Sequence, residues 1–186
     1  MTAQMHDSFL LEEKKFSIVG VDRENLFHPA QYGMQPLPRI TSCWRGYVCT
    51  FKTLYNRLLL DTLQINLDQE GPAINNVRPE FPAKDTFNNV YHELGLHIDY
   101  SGGMLVADGF IRELYVHMGF HPAWKYETVF ELVFSQGTLL EKKDISQQMM
   151  ELRKEMVQKP LQPGPDTPRQ KLEDWIASTF KRSNRS

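Results

Sequence analysis

The sequence predicts an α+β protein: a mainly antiparallel sheet built from hairpins, with helices packed on one face or at its ends. Three observations carry this. Two stretches pair apolar, β-branched runs across turn residues, "TSCWRGYVCTFKTLYNRLLLDTLQINL" and "YETVFELVFSQGTLLEKK". The stretch "ELGLHIDY" alternates apolar and polar residues strictly. Two late segments carry apolar residues at helical spacing behind good capping residues, Asp144 and Thr167. Because the hairpins follow one another along the chain, a closed barrel of about eight strands is the alternative architecture.

Along the chain, "KKFSIVGV" reads as a short strand, and the proline- and glycine-containing "NLFHPAQYGMQPLPRI" as turns. The first hairpin turns at Tyr55-Asn56, where asparagine suits the turn. Residues 68–89, rich in proline and asparagine, form a long connection of the kind that is often a recognition loop. "SGG" turns the chain after the alternating strand, and "MLVA" returns beside it. "FIRELYVHMGFHP" predicts a short helix, capped by Asp108, burying Ile111, Leu114, Tyr115 and Met118 and closed by Gly119. Next comes the second hairpin, turning at Gln136-Gly137; apolar residues of both parities in its first strand predict a central strand covered on both sides.

Asp144 caps a helix with Ile145, Met149, Leu152 and Met156 on one face. A single domain therefore spans 1–158, a proline-rich linker 159–167, and an amphipathic helix with a basic tail 168–186. That gives three helices, two of them C-terminal. In the last one Trp175, Ile176 and Phe180 form an apolar stripe that must be covered, by its own domain or by a partner.

The bulk properties exclude several classes. A net charge of -2 and a pI near 6.3 give no pull toward nucleic acid or anionic membrane. The N-terminal "MTAQMHDSFLLEEKK" lacks the basic start and apolar run of a secretory signal, and no apolar run approaches bilayer length. Cys43 and Cys49, if both lie on one strand, stand roughly 20 Å apart, too far for a disulfide. They read as reduced thiols of a cytoplasmic protein.

"HELGLH" comes close to the H-E-x-x-H signature of zinc hydrolases. His92 and His97 are five residues apart, about 500° around a helix, so they share no helical face. On a strand they point to opposite sides. The same alternation does put Glu93, His97 and Asp99 on one strand face, where an imidazole beside a carboxylate suits acid/base or metal-assisted hydrolysis with an unidentified divalent ion. The simpler reading is a solvated sheet face. Glu113, His117 and His121 are the alternative metal set, or a surface Glu–His pair with a loop histidine nearby. On "WRGY", Arg45 shares a face with Cys43, Tyr47 and Cys49 and needs a carboxylate partner. It is either a structural tie or the anchor of an anion site.

"ITSCWRGYVCTF" and "YVHMGFHPAWKYETVFELVFSQGTLL" resemble a family of small uncharacterised bacterial proteins with an aromatic-Arg-Gly-Tyr strand early and a "GF…EL.F..G.L" hairpin late. The resemblance spans roughly residues 27–155 and implies no activity or catalytic residues. The roles it implies are cytosolic accessory or toxin-immunity functions. The chain carries no P-loop, dinucleotide glycine pattern, cysteine-rich zinc set or nucleophile elbow. The expected function is therefore non-catalytic binding or regulation through a protein interface, with another protein or a second copy as partner and no cofactor. The alternatives are a small hydrolase on the Glu93/His97/Asp99 face and an anion sensor anchored by Arg45.

Overall fold

The computed structural model describes residues 2–22, 26–84 and 86–157. Its strands are β1 (Ser8–Leu11), β2 (Lys14–Val21), β3 (Tyr47–Leu54), β4 (Arg57–Ile65), β5 (Asn89–Tyr91), β6 (Leu96–His97), β7 (Gly102–Phe110), β8 (Tyr126–Ser135) and β9 (Thr138–Asp144). One α-helix, α1 (Ser146–Val157), follows. The strands form one mixed sheet in the order β3-β1-β2-β7-β8-β9-β4-β5, with β6 added to β4. Every ladder is antiparallel except β1–β3, which runs parallel from Ser8↔Thr50 to Leu10↔Lys52.

Three hairpins turn through paired left-handed residues, the geometry that matches strand twist. Tyr55 and Asn56 have φ of 49° and 62°, and Gln136 and Gly137 of 46° and 72°, where the sequence predicts turns. Glu12 and Glu13 do the same at 51° and 66°, joining β1 to β2 with neither glycine nor asparagine. Gly137 is further constrained: a Cβ there would lie 2.4 Å from the Ile98 carbonyl oxygen. Its own N–H donates to the Tyr100 carbonyl at 2.8 Å and its carbonyl accepts from Leu58 N–H at 2.7 Å.

The sheet curls around a core that includes Phe9, Ile18, Phe51, Leu60, Leu63, Ile65, Tyr91, Met104, Val106 and Leu132. Each such side chain contributes about 1.5–3 kcal/mol of burial free energy. A smaller core on the other face gathers Val19, Leu105, Ala107, Ala123, Tyr126, Val129 and Ile145, with Phe110 and Met149 packed against it. β8 serves both cores, Leu132 and Phe134 inward and Val129 outward, as its two-sided apolar pattern predicts. Ser146 N–H donates to Asp144 Oδ1 at 2.9 Å, so Asp144 caps α1.

Several expectations are corrected. The sheet does not close into a barrel: β4 and β9 meet through one pair, Arg57↔Thr138, because β6 and the residues after it occupy the rest of that side of β4. Three helices are not found; among the described residues α1 alone reaches seven residues. The predicted helix over 110–121 is instead the end of β7, where Phe110 still pairs with Tyr126, followed by the 3-10 turn Arg112–Leu114. Asp108 caps nothing there; it lies in β7 and pairs with Lys14 at 2.6 Å. "MLVA" returns not beside β6 but between β2 and β8. The alternating strand is interrupted, since Glu93 and Gly95 take φ of 51° and 55°, leaving a two-residue β6. Cys43 precedes β3, in a turn that Gly46 passes at φ 75°, so the two cysteines do not share a strand; both are buried free thiols.

Residues 68–89 are pinned by asparagines. Asn88 Oδ1 accepts from Leu67 N–H at 3.0 Å while its Nδ2 donates to the Leu67 carbonyl at 2.8 Å, imitating a ladder partner. Asn89, wholly buried, accepts from Gly71 N–H at 2.8 Å and donates to the Gln69 carbonyl at 3.2 Å. Asn75 and Asn76 form a left-handed turn closed by the Ile74↔Val77 bridge. Among the described residues no helix is long and apolar enough to cross a membrane. The linker 159–167 and the helix carrying Trp175, Ile176 and Phe180 lie outside the described residues.

Candidate functional site

Arg45 has a partner in the chain. Its Nη1 donates to Asp7 Oδ2 at 3.0 Å and its Nη2 to Asp7 Oδ1, a two-pronged pair. Asp7 Oδ1 also accepts from Cys49 N–H at 2.8 Å, and the guanidinium lies 4.7 Å over the Tyr47 ring. Burial alone would weaken its hold on the proton; the Asp7 carboxylate reverses this and raises the Arg45 pKa above its usual value. Burial pushes the neighbouring Cys43 thiol up as well, which makes it a poor nucleophile. Arg45 and Asp7 thus fasten the residues just before β1 to the turn before β3 and to β3 itself.

The histidine–carboxylate sets do not gather. Glu93, His97 and Asp99 are all exposed, with Glu93 in a left-handed turn and His97 opposite Leu59. Glu113 and His117 are exposed while His121 is buried. Among the described residues no three His, Cys, Asp or Glu side chains are placed to hold a metal ion.

The structure gathers a different group, around the 3-10 turn Ala123–Lys125. Its backbone is held by Lys125 N–H to the Pro122 carbonyl at 3.1 Å and Ile111 N–H to the Lys125 carbonyl at 2.9 Å. Lys125 is 1% exposed, its ammonium 5.3 Å from the Trp124 ring centroid. Arg153 reaches from α1, donating through Nε to the Trp124 carbonyl at 2.7 Å and through Nη2 to the Tyr126 carbonyl. His121, 6% exposed, is walled by Phe110 at 4.7 Å and Tyr115 at 5.2 Å. The His121 backbone N–H donates to His6 Nε2 at 3.3 Å, while His6 Nδ1 lies 3.0 Å from the Ile18 carbonyl. One His6 tautomer, protonated on Nδ1, satisfies both bonds.

Burial lowers the His121 pKa to about 4, and the Lys125 charge adds to the effect. Burial lowers Lys125 itself to about 8. Both ring nitrogens of His121, Trp124 Nε1 and Lys125 Nζ are buried without a hydrogen-bond partner among the described residues. On the same sheet face a groove of about 270 Å³ is lined by Ser8, Lys15, Ser17, Asp108, Phe110 and Tyr126. Burial pushes the Tyr126 hydroxyl up to about 12, against the opposing effect of its bond with Ser17.

Of this group, only His121 is singled out by the sequence. The signal for Lys125 is slight: an isolated lysine between a tryptophan and a strand.

A second feature lies where the two predicted hairpins touch. Leu139 N–H donates to the Asn56 carbonyl at 2.7 Å, and Arg57 Nη1 donates to Thr138 Oγ1 at 2.9 Å. The tips expose Leu54 at 50%, Tyr55 at 93% and Leu140 at 65%. Beyond Thr138 the outer edge of β9 has no strand partner among the described residues.

No protein-family model matches the chain, and neither the curated proteins nor the solved structures contain a match to it.

Proposed function

We propose that this chain is a non-catalytic binding protein acting through a protein interface, and that the interface is the face where the two hairpin tips meet. The observation that supports this reading is the concentration of exposed apolar side chains, Leu54, Tyr55 and Leu140, beside the outer edge of β9, which has no strand partner beyond Thr138 among the described residues. Large apolar groups at an open strand edge favour addition of an extended segment from another polypeptide. Main-chain hydrogen bonds supply affinity in that mode, and a tyrosine at the rim supplies contact area at small entropic cost. The setting we assign is cytosolic, in keeping with two free, buried thiols.

The test is a photo-crosslinking amino acid placed at position 55 or 140 in the full chain, in its native cells, followed by mass spectrometry. One discrete polypeptide, or a second copy of the chain, captured from both positions and not from exposed Glu113 is the expected result. Capture that is equal from all three positions, or absent from all, overturns the assignment of this face.

A further inference from the structure

We propose that the cluster of His121, Trp124, Lys125 and Arg153 is a binding site for an oxyanion, a carboxylate or phosphate group carried on a small molecule. The chain treats its part-buried cation Arg45 differently. Arg45 is met by Asp7 on both terminal nitrogens. Lys125 is at least as buried, at 1% exposure, yet among the described residues neither it nor Arg153 has a carboxylate within ion-pair distance.

Among the described residues Arg153 bonds to the carbonyls on either side of Lys125, contacts that place its charge without neutralising it. The Lys125 ammonium has no acceptor among the described residues, and the nearby Trp124 Nε1 and His121 ring nitrogens have no partner among them either. An ammonium and an indole N–H can only donate, and an imidazole can donate from either nitrogen depending on its tautomer. Buried unpartnered polar groups are rare enough in folded proteins that each asks for a partner. Here the missing partner is an acceptor with negative charge.

A lysine pKa near 8 leaves most of the ammonium charged at pH 7, so the demand for a counter-ion persists under ordinary conditions. The ring of Phe110 lines the neighbouring 270 Å³ groove and also packs on His121; the four cluster residues themselves lie outside its lining.

The test is thermal melting of the full chain at pH 7 with sodium phosphate, acetate or citrate against sodium chloride at equal ionic strength. Trp fluorescence is followed in the same titrations. At least one oxyanion is expected to raise the melting temperature saturably and to change the fluorescence with the same midpoint. A response to phosphate alone identifies a phosphoryl ligand; a response to acetate or citrate alone identifies a carboxylate. Lys125→Met, which keeps the side chain's length and removes the charge, should weaken the response by roughly thirty-fold or more. If that variant does not fold, Arg153→Gln reads the same loss from the α1 side. The proposal is overturned if no oxyanion exceeds chloride on the wild-type chain, or if the folded variants respond as the wild type does.

Discussion

Arg45 and Asp7 meet through two hydrogen bonds across a separation of 38 residues, and the same carboxylate holds the Cys49 amide. Removing one partner strands the other's charge in a buried site. Asp7→Ala is therefore expected to cost about 3–5 kcal/mol, while Asp7→Leu combined with Arg45→Met costs less than either single change. Lys14→Ala, which breaks the exposed Lys14–Asp108 pair, should cost about 0–1 kcal/mol. Urea unfolding of Asp7→Ala, Asp7→Leu, Arg45→Met, the Asp7→Leu/Arg45→Met double and Lys14→Ala checks the order; a double change costing the sum of its two single changes would contradict it.

His121 and Lys125 set opposite ends of the pH profile. The folded pKa of His121, about 4, lies below its ordinary value of 6.5, so acidification from 6.5 toward 4 protonates the unfolded chain first and lowers stability. For Lys125 the folded value of about 8 lies below 10.5, so stability rises as pH climbs from 8 to 10.5. His121→Phe should flatten the acid limb and Lys125→Met the alkaline one. Chemical denaturation at pH 4.5, 7 and 10 measures both effects, and unchanged limbs would refute the assignment.

Gly137 combines a φ of 72° with a carbonyl oxygen 2.4 Å from where a Cβ would stand. A methyl group there meets backbone that cannot step aside. Gly137→Ala should cost more than the roughly 1 kcal/mol typical of a left-handed site alone. Gly33→Ala, at φ 69° with nothing within 4 Å of its Cβ, is the control for conformation without the clash. Equal melting temperatures for the two variants would remove the steric argument.

Asn89 has no exposed surface and bonds to Gly71 and Gln69 from opposite ends of its amide. Asn89→Asp keeps the acceptor, loses the donor and buries a charge. The expected loss is about 1–3 kcal/mol or more, concentrated in residues 68–89. Limited proteolysis should cut this segment in the variant at protease levels the wild type withstands.

How far the sequence can be read follows from the range of each signal. The hairpins at 55–56 and 136–137 announce themselves because Asn56 and Gly137 tolerate positive φ; the Glu12-Glu13 hairpin carries no such residue and so goes unseen. That Arg45 needs a carboxylate is legible from chemistry, whereas its identity depends on the parallel β1–β3 pairing, which leaves no local trace. "FIRELYVHM" has helical spacing but follows a strand whose ladder runs through Phe110, and tertiary pairing outweighs local pattern. The candidate anion site is nearly invisible for a related reason. Lysines are placed on surfaces by every compositional rule, and Lys125 is the exception that only packing reveals.

The single Arg57↔Thr138 pair between β4 and β9 has a mechanical consequence. On the other side of β4 an eight-pair ladder binds it to β3, so one flank of the molecule is stiff and the other is stitched at a point. Only a few bonds hold that point, chiefly Leu58 N–H to the Gly137 carbonyl and Leu139 N–H to the Asn56 carbonyl. Spreading the two strands there sacrifices these without disturbing either main ladder, so the seam is the place where the sheet gives first. Its amides will exchange with solvent deuterium sooner than those of the β7–β8 ladder.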